Sequence, residues 1–384
     1  MMKFIHTADW HIGKKIHGFQ LLKEQEEVYR QLVEVAVKEK VDAIVIAGDL
    51  YDRAVPPAEA VLLLNKMLME LNIVQKIPLL VVSGNHDSST RLATGGPWYE
   101  FLNFHLVTKI EDSLKPIVLG NTQFFLLPYF EPIDARLYFG DSSLTTHELA
   151  AKRVVEEMKK SFDPNYHQVL VAHLFVAGSL RTDSETEVTV GGLDQVSASV
   201  FKDFDYVALG HLHNPNASRH ERIQYSGTLL KFSVSEANQA KGFKLIELTD
   251  EGTLKNTFYP VESTKSLRVL TGFFDDLTAR DYYETQKKDD YLFIQLKDTQ
   301  IIPDAMNRLR EIYPNVLGME RLDKTGLLSK MGQLNKEKIQ QSSPRVLFEK
   351  YYQEVTGDSL SKQQTDLLTT IFAQLKIEEE DQTQ

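Results

Sequence analysis

The chain contains no cysteine among its 384 residues. This absence excludes disulfides and thiolate metal sites, and it agrees with the reducing cytoplasm that we expect as the location of the protein. The sequence also lacks any apolar run that approaches the roughly 18 residues of a membrane-spanning helix. Its first residues, Met1 to His6, enter a strand pattern and lack the apolar stretch of a secretory signal, so no membrane association is expected.

A positive charge balance is missing as well, because the formal net charge is −11. Such a balance argues against a nucleic-acid partner. However, metal-binding carboxylates count as negative in this sum, although bound divalent ions would offset them. More acid lies at the C-terminal end, at residues 378–381, which we interpret as a solvated tail. Net charge alone therefore does not decide whether the partner is a nucleic acid.

The first 265 or so residues have the pattern of an α/β protein. Short runs rich in Val, Ile and Leu alternate there with helical patterns. The predicted strands are Lys3–Thr7, Asp42–Ala47, Pro78–Val82, Gln168–Ala172, Asp205–Leu209, Lys231–Val234 and Gly242–Leu248. The predicted helices are Glu24–Lys40 and Pro57–Leu71. The chain is long for a single core, so this large domain, residues 1–265, is expected to carry smaller additions.

After about Ser266 the pattern changes. Strands at Tyr291–Leu296 and Val316–Arg321, with a helix at Pro303–Tyr313, predict a small α+β domain that ends with a polar linker near residue 340. Residues 341–384 are predicted to form two amphipathic helices, Arg345–Val355 and Ser361–Leu375. Their apolar stripes are Phe348, Tyr351, Tyr352 and Val355 in the first helix, and Leu367, Leu368, Ile371, Phe372 and Leu375 in the second. We expect a partner protein to cover these stripes, and folding back onto the large domain is the alternative.

Metal-capable side chains follow five of the predicted strands. They are Asp9, His11, Asp49, Asp52, Asn85, His86, Asp87, His173, His211 and His213. Because ligand sites in open α/β sheets lie beyond the carboxyl ends of the strands, we expect these side chains to converge. Carboxylate, imidazole and amide oxygen suit Mn²⁺, Fe²⁺ or Zn²⁺. Two such ions about 3.5–4 Å apart can bind a phosphate and activate a water. The glycines before Asp49, Asn85 and His211 are expected to let the chain turn sharply.

The chain resembles the calcineurin-like metallophosphoesterases in the motifs Asp9-x-His11, Gly48-Asp49-x-x-Asp52, Gly84-Asn85-His86-Asp87, His173 and Gly210-His211-x-His213. It resembles the SbcD family more closely in the stretches His6–Gly13, Tyr225–Leu229, Phe232–Ala237 and Gln353–Gly357. The resemblance implies a four-layer αββα sandwich with a small α+β capping domain and C-terminal helices. It also implies that Asp9, His11, Asp49 and His213 hold one metal ion, and that Asp49, Asn85, His173 and His211 hold the second. His86 is then the catalytic histidine, not a ligand.

The same resemblance implies the activity and the partners. The family's members are Mn²⁺-dependent DNA nucleases, acting as exonuclease and endonuclease in DNA break repair, recombination, replication and hairpin processing. They work as homodimers in a complex with SbcC, a coiled-coil ATPase, onto which the C-terminal helices dock. The small domain helps to shape the DNA site.

Several other residues have two interpretations. Asp52 and Asp87 either orient imidazoles or cap loops. The cations Lys14, Lys15, Arg53 and Arg91 either contact flanking phosphates or are only solvated. Trp10 is expected to pack against the wall of the site, with base stacking as the alternative. One face of the second helix is expected to be core, although the family pairs its protomers in this region; it consists of Leu63, Leu64, Met67 and Leu71.

Two rival functions use the same ligands. The first is a phosphoesterase that acts on phosphomonoesters, phosphoproteins or cyclic nucleotides, for which the extra material after residue 266 has no evident use. The second is a scaffold that has lost catalysis, which the complete set of ligands and the retained His86 disfavour.

Overall fold

We describe the fold from a computed structural model of the chain, which describes residues 1–179, 182, 185, 195–298, 300–322, 348–349, 352 and 359–381. The predicted linker from about residue 327 to 343 lies outside the described residues. The predicted helix Arg345–Val355 also lies outside them, apart from Phe348, Glu349 and Tyr352. The chain divides into two compact units: residues 1–270, 280–294 and 306–318 form the first, and residues 271–279, 295–305 and 319–384 the second.

The strands up to residue 260 all belong to the first unit. In chain order they are β1 (Met2–Thr7), β2 (Lys15–Ile16), β3 (Phe19–Gln20), β4 (Ala43–Ala47), β5 (Leu79–Val82), β6 (Phe104–Val107), β7 (Ile117–Leu119), β8 (Thr122–Leu127), β9 (His167–His173), β10 (Phe175–Val176), β11 (Gln195–Val196), β12 (Tyr206–Gly210), β13 (Ile223–Tyr225), β14 (Gly242–Leu248) and β15 (Leu254–Pro260).

The α-helices of this part of the chain are α1 (Leu22–Glu39), α2 (Ala58–Met69), α3 (Ser89–Leu92), α4 (Gly96–Tyr99), α5 (Ile110–Ser113), α6 (Pro132–Phe139) and α7 (His147–Met158). A π-helical turn, Glu70–Val74, continues α2. Short 3₁₀ turns occur at Ala93–Gly95, Glu100–Leu102, Lys159–Ser161, Ala198–Phe201 and Val234–Glu236.

Two sheets dominate the first unit. The six-stranded sheet has the order β15-β14-β1-β4-β5-β6, in which β1, β4, β5 and β6 run parallel and β14 and β15 are antiparallel additions. The five-stranded sheet has the order β13-β12-β9-β8-β7, in which only β7 is antiparallel to its neighbour. Parallel strands buried on both faces explain the continuous apolar runs from which the sequence predicted β1, β4, β5, β9 and β12.

The two sheets pack face to face, with helices on their outer sides. Between them lies an apolar core that includes Phe4 of the first sheet and Phe124 and Tyr206 of the second. The outer face of the first sheet packs against α1 and α2, and that of the second packs against α7. The result is the four-layer αββα arrangement that was expected. Successive residues of a strand point to opposite faces, so each sheet contributes to two cores.

The structure confirms two expectations about apolar residues near the first sheet. Leu64, Met67 and Leu71 belong to its outer core, and Leu63 packs against that core partly buried. Trp10 is also buried there, and its indole N–H donates a hydrogen bond to Thr7 Oγ1 at 2.9 Å. A buried indole with a satisfied N–H packs against the protein, so base stacking by Trp10 is excluded.

The predicted strand Lys231–Val234 is wrong. The segment forms a loop that leads into the 3₁₀ turn Val234–Glu236. The reason is the buried carboxylate of Glu236, which accepts hydrogen bonds from the amide of Phe232 at 3.2 Å and from Ser233 Oγ at 3.1 Å. A chain that wraps around its own carboxylate in this way cannot also extend into a sheet.

The remaining elements follow residue 266. They are β16 (Leu267–Gly272), α8 (Phe274–Thr278), α9 (Arg280–Tyr283), β17 (Tyr291–Leu296), α10 (Ala305–Ile312), β18 (Val316–Arg321) and α11 (Lys362–Asp381). The strands form a sheet in the order β16-β17-β18. The predicted strands coincide with β17 and β18, and the predicted helices correspond to α10 and α11. Within the described residues, no helix has the length and apolarity needed to cross a membrane.

Candidate metal centre

The predicted ligands converge at one end of the two main sheets. They follow β1, β4 and β5 of the six-stranded sheet and β9 and β12 of the five-stranded sheet, at the carboxyl ends of these parallel strands. Asp9, His11, Asp49, His173, His211 and His213 are buried, and Asn85 and His86 are half-buried. Residues separated by about 200 positions in the sequence are therefore neighbours, as the His11–His213 contact at 3.2 Å shows.

Four of these residues have an unusual backbone. Asp9, His11, Asp49 and His211 have φ angles of +52°, +44°, +51° and +98°. Positive φ is uncommon outside glycine, and it is retained where the surrounding structure enforces it, often at functional sites. In each case the residue leaves its strand abruptly, which keeps the side chain at the end of the sheet.

Gly84 and Gly210 are required because other atoms approach them closely. A Cβ atom on Gly84 would clash with the Asp49 carboxylate, and one on Gly210 would clash with the carbonyl oxygen of Ala47. Neither glycine has a positive φ. The expectation that they serve sharp turns is therefore corrected, since their role is to let neighbouring segments come together.

Asp9, His11 and His213 form the first cluster of candidate ligands. The Nε2 atoms of the two histidines are 3.2 Å apart, and His11 Nε2 lies 3.7 Å from Asp49 Oδ2. The Asp9 carboxylate accepts the amide N–H of His211 at 3.0 and 3.1 Å, which fixes its orientation.

Asp9, Asp49 and His173 form the second cluster. His173 Nδ1 donates to the carbonyl oxygen of Ala47 at 2.8 Å, so its Nε2 is the nitrogen that faces the cluster. That atom lies 3.4 Å from Asp49 Oδ2 and 2.9 Å from Asn85 Oδ1. Asn85 Oδ1 is also 3.1 Å from His211 Nδ1. All four side chains predicted to hold the second ion are therefore close to one another.

His86 stands beside both clusters. Its amide donates to Asp49 Oδ1 at 2.8 Å, and its Nδ1 donates to the carbonyl oxygen of Asp52 at 2.9 Å. The His86 and His11 rings meet edge to face with centres 4.8 Å apart. His86 is thus anchored through Nδ1 and its own backbone, and Nε2 is the ring nitrogen left to face a substrate.

The structure separates the two aspartates whose roles were open. Asp87 caps loops: its carboxylate accepts the amides of Leu50, Tyr51 and Gly84 at 3.0–3.1 Å. Asp52 Oδ1 lies 4.0 Å from His11 Nδ1, too far for a hydrogen bond, and 2.8 Å from Lys14 Nζ. Asp52 therefore faces an imidazole, whereas Asp87 ties together the loops that follow β4 and β5.

The predicted phosphate contacts are placed unequally. Lys14 is half-buried and its ion pair with Asp52 holds it beside the histidines. Lys15 on β2, Arg53 on the loop after β4 and Arg91 on α3 are exposed. Their positions leave the choice between phosphate contact and simple solvation open.

Burial and mutual proximity strongly perturb the charged groups. Burial raises the pKa of Asp9 well above its usual value. Burial alone would lower the pKa of His173, but the charge of Asp49 outweighs it and raises this pKa to about 9. Burial lowers the pKa of His11 well below its usual value, which keeps the imidazole neutral. Buried carboxylates crowded in this way are unfavourable unless positive charge is supplied.

The residues fit divalent metal ions. His11 Nδ1 is buried and has no hydrogen-bond partner among the residues that the structure describes. The donors are carboxylate oxygens, neutral imidazole nitrogens and an amide oxygen, which are ligands for hard or borderline divalent ions. Two dications here would supply the charge that the paired carboxylates of Asp9 and Asp49 lack.

The groups that support His213 were not predicted from the sequence. The Glu236 carboxylate is fully buried, with Oε1 3.5 Å from His213 Nδ1 and Oε2 2.6 Å from Lys241 Nζ. Lys241 Nζ also donates to the carbonyl oxygen of His213 at 2.8 Å. Burial alone would raise the pKa of Glu236, but hydrogen bonding to His213 and the charge of Lys241 hold it well below its usual value. Glu185 accepts the His213 amide at 2.7 Å.

Comparison with known proteins agrees with this geometry. The family model described as Calcineurin-like phosphoesterase matches residues 2–215, a range that contains all the predicted ligands and His86. A second, described as Type 5 capsule protein repressor C-terminal domain, matches residues 263–356. The SbcD subunit of nuclease SbcCD from Staphylococcus epidermidis is 36% identical over 372 residues, covering 97% of this chain and 98% of that protein. The SbcD protein of Staphylococcus saprophyticus is 34% identical over 374 residues, with the same two coverages.

Two solved structures are also similar, at lower identity. A dimetal phosphatase from Danio rerio is 14% identical with a TM-score of 0.35, covering 68% of this chain and 99% of that chain. The phosphoesterase Yfce from E. coli is 14% identical with a TM-score of 0.28, covering 68% of this chain and 100% of that chain.

The buried Glu236 predicts a measurable effect on metal binding. Glu236→Gln keeps the shape of the side chain but removes the charge that faces His213, so we expect metal affinity to fall roughly 10- to 100-fold. Metal titration of the metal-free chain, with atomic absorption after dialysis, measures this. The control is Glu247→Gln, which breaks the surface pair with Lys255.

The double variant Glu236→Gln/Lys241→Met separates positioning from stability. It removes the buried cation that the single variant leaves unpaired, so much of the lost unfolding free energy should return. Metal affinity should stay low, because the carboxylate is still absent. Normal metal affinity in the folded single variant contradicts a role for Glu236 in holding His213.

Proposed function

This chain belongs to the SbcD family of calcineurin-like phosphoesterases, and we propose that it is a metal-dependent nuclease that hydrolyses phosphodiester bonds in DNA. The observation that carries the proposal is the convergence of carboxylates, imidazoles and an amide at the carboxyl ends of strands from both sheets, with His86 anchored beside them. Similarity over 97% of the chain to the SbcD subunit of nuclease SbcCD supports DNA as the substrate.

We assign the ligands as the family resemblance implies. Asp9, His11, Asp49 and His213 hold one ion, and Asp49, Asn85, His173 and His211 hold the other. The central position of Asp49 supports this assignment, because Oδ2 lies 3.7 Å from His11 Nε2 and 3.4 Å from His173 Nε2. The donor set suits Mn²⁺, which we propose as the working metal. Two bound divalent ions supply the charge that holds a phosphate and lowers the pKa of a water.

His86 is proposed to act on the phosphate. Its Nδ1–H is engaged by the carbonyl oxygen of Asp52, which fixes the ring and turns Nε2 toward the open side of the site. From there Nε2 can stabilise a phosphate oxygen or give a proton to the leaving oxygen. Lys14, paired with Asp52, is the best-placed candidate for a flanking phosphate, followed by Lys15, Arg53 and Arg91.

We propose both exonuclease and endonuclease action, in break repair, recombination and hairpin processing. The rival is a phosphoesterase for phosphomonoesters or cyclic nucleotides, since the same ligands serve it. The match of residues 263–356 to a second family model disfavours that rival, because a small substrate requires no such addition. Linear DNA with blocked ends distinguishes the two, because only an endonuclease cuts it.

The partner proposed for the C-terminal region is the coiled-coil ATPase SbcC. Leu367 and Ile371 on α11 are 62% and 43% exposed, although Leu368 beside them is buried. Exposed apolar side chains on one helix are typical of a protein interface. The name of the relatives, which makes them one part of an SbcCD nuclease, supports this partner.

We also propose that two copies of the chain pair. Leu62 and Met69 on α2, with Ile73 and Val74 on the π turn that follows, are exposed apolar side chains on consecutive turns of this segment. A self-complementary patch of this kind suits a two-fold dimer.

Asp49 is expected to be indispensable for the reaction. Asp49→Asn removes the charge shared by both proposed ions but leaves β4 and its packing unchanged, so Mn²⁺-dependent cleavage should fall at least about 1,000-fold in a folded protein. Nuclease assays with circular dichroism measure this. Asp42→Asn, at the opposite end of β4, is the control. Near-normal cleavage by the folded Asp49 variant contradicts the two-metal assignment.

His86→Ala is expected to separate chemistry from metal binding. The variant should keep both ions, because His86 is assigned to the phosphate, yet lose roughly 100- to 10,000-fold in turnover, the usual loss when a proton-transferring group is removed. Elemental analysis of the purified variant and single-turnover kinetics provide the two readings. Loss of a metal ion from this variant makes His86 a ligand and its assigned role wrong.

Docking of the ATPase is expected to depend on the exposed face of α11. Leu367→Glu/Ile371→Glu should abolish co-purification with SbcC while Mn²⁺-dependent cleavage of short DNA stays unchanged, because charges desolvated in an interface are costly. Thr369→Glu/Thr370→Glu adds the same charges to the same helix and serves as control. Equal SbcC binding by both double variants rules out this docking face.

A further inference from the structure

A second cavity lies beside the loop that supports His213. Its volume is about 310 Å³, and all its lining residues belong to the first unit. None of the predicted metal ligands lines it. Its wall connects to the metal centre through Lys241 alone among the groups described above, since Lys241 Nζ donates to the His213 carbonyl oxygen. The cavity is therefore separate from the metal centre.

The floor of this cavity is apolar and carries one aromatic ring. Leu21, Leu230, Val261 and Leu267 are buried around the ring of Tyr291. The hydroxyl of Tyr291 donates to Glu24 Oε1 at 3.0 Å, which fixes the ring in place. A volume of this size, with an apolar floor and a fixed ring, suits a flat small molecule or one nucleobase.

Four lysines line the same cavity, and they differ in freedom. Lys241 and Lys231 are held by internal hydrogen bonds, the latter to the carbonyl oxygens of Ala237 and Leu267. Lys265 Nζ lies 5.8 Å from the centre of the Tyr291 ring, and the exposed Lys287 Nζ lies 3.5 Å from Asp290 Oδ1. Lys265 and Lys287 are therefore the cations available to a ligand that lies on Tyr291.

The acids that face the cavity are fewer. Glu24 and Glu262 are the carboxylates of its lining, against four lysines. Glu24 is buried and engaged by Tyr291, whereas Glu262 is exposed. The cavity is thus locally cationic in a chain whose formal net charge is −11. Such a local field favours an anion at the rim.

We propose that this cavity binds a nucleotide, with the base against Tyr291 and the apolar floor and the phosphate between Lys265 and Lys287. An aromatic floor below a cationic rim is the combination that recognises a base joined to a phosphate. The nucleotide is either a free mononucleotide or one unpaired residue of a DNA strand. Binding requires no metal ion, which distinguishes this site from the metal centre.

Calorimetric titration of the full chain with deoxyadenosine monophosphate tests the site. It is carried out on the manganese-loaded protein and again with a chelator, because binding in the metal centre needs ions and binding in the cavity does not. Lys265→Ala/Lys287→Ala should weaken the chelator-resistant binding roughly 10-fold or more, since two charge-assisted contacts are lost. The control Lys115→Ala/Lys152→Ala removes two exposed lysines elsewhere and should bind normally.

Deoxyadenosine and inorganic phosphate separate the two halves of the ligand. Each is expected to bind at least roughly 10-fold more weakly than the nucleotide. Phosphate binding as tight as the nucleotide reduces the cavity to an anion site, equal binding of deoxyadenosine reduces it to an apolar one, and either result overturns the proposal. Absence of chelator-resistant binding, or equal binding by both double variants, also overturns it.

DNA distinguishes the two sources of the nucleotide. If the lysine variant binds a hairpin with an unpaired loop more weakly but binds blunt duplex normally, the nucleotide belongs to a strand. If it loses only the mononucleotide, the ligand is free. Since these readings are of binding and not of cleavage, the proposal stands or fails independently of the nuclease function.

Discussion

The hydrogen bond from His173 Nδ1 to the carbonyl oxygen of Ala47 joins the end of β9 in one sheet to the end of β4 in the other. Gly210, at the end of β12, packs against the same carbonyl, where a larger residue has no room. The two sheets can bring their strand ends this close only because these contacts satisfy the buried carbonyl. This junction places Asp49, from the first sheet, 3.4 Å from His173 of the second. Every other distance in the candidate metal centre depends on it.

The centre combines features that are unfavourable for stability alone. Positive φ angles at Asp9, His11 and Asp49 store strain, and the carboxylates of Asp9 and Asp49 are buried close together. Asp87 offsets part of this cost by capping three amides in the loops after β4 and β5. Divalent ions would offset the electrostatic part, because they replace repulsion between carboxylates with attraction. Local rules of folding are thus broken where the chemistry requires it.

The sequence predicted the buried parallel strands and their terminal ligands because both follow general rules, apolar runs for strands and ligands beyond strand ends. It could not predict Glu236, since this residue follows no strand and acts through a 3₁₀ turn that was mistaken for a strand. The role of Asp87 was also undecided, because its backbone partners lie up to 37 residues away. The domain boundaries at residues 265 and 340, and the assignment of ligands to individual ions, stay predictions.

Net charge misled as evidence about nucleic acids because it sums groups that never share an environment. Glu236 is fully buried and neutralised by Lys241, so it contributes nothing to the field that a ligand meets in solvent. The same Lys241 lines the cationic cavity and holds the carbonyl oxygen of His213 at 2.8 Å. Charges at this depth interact strongly, because solvent and salt screen them little. One buried lysine therefore links the electrostatics of the cavity to the position of a metal ligand, although the two sites share no other residue described here.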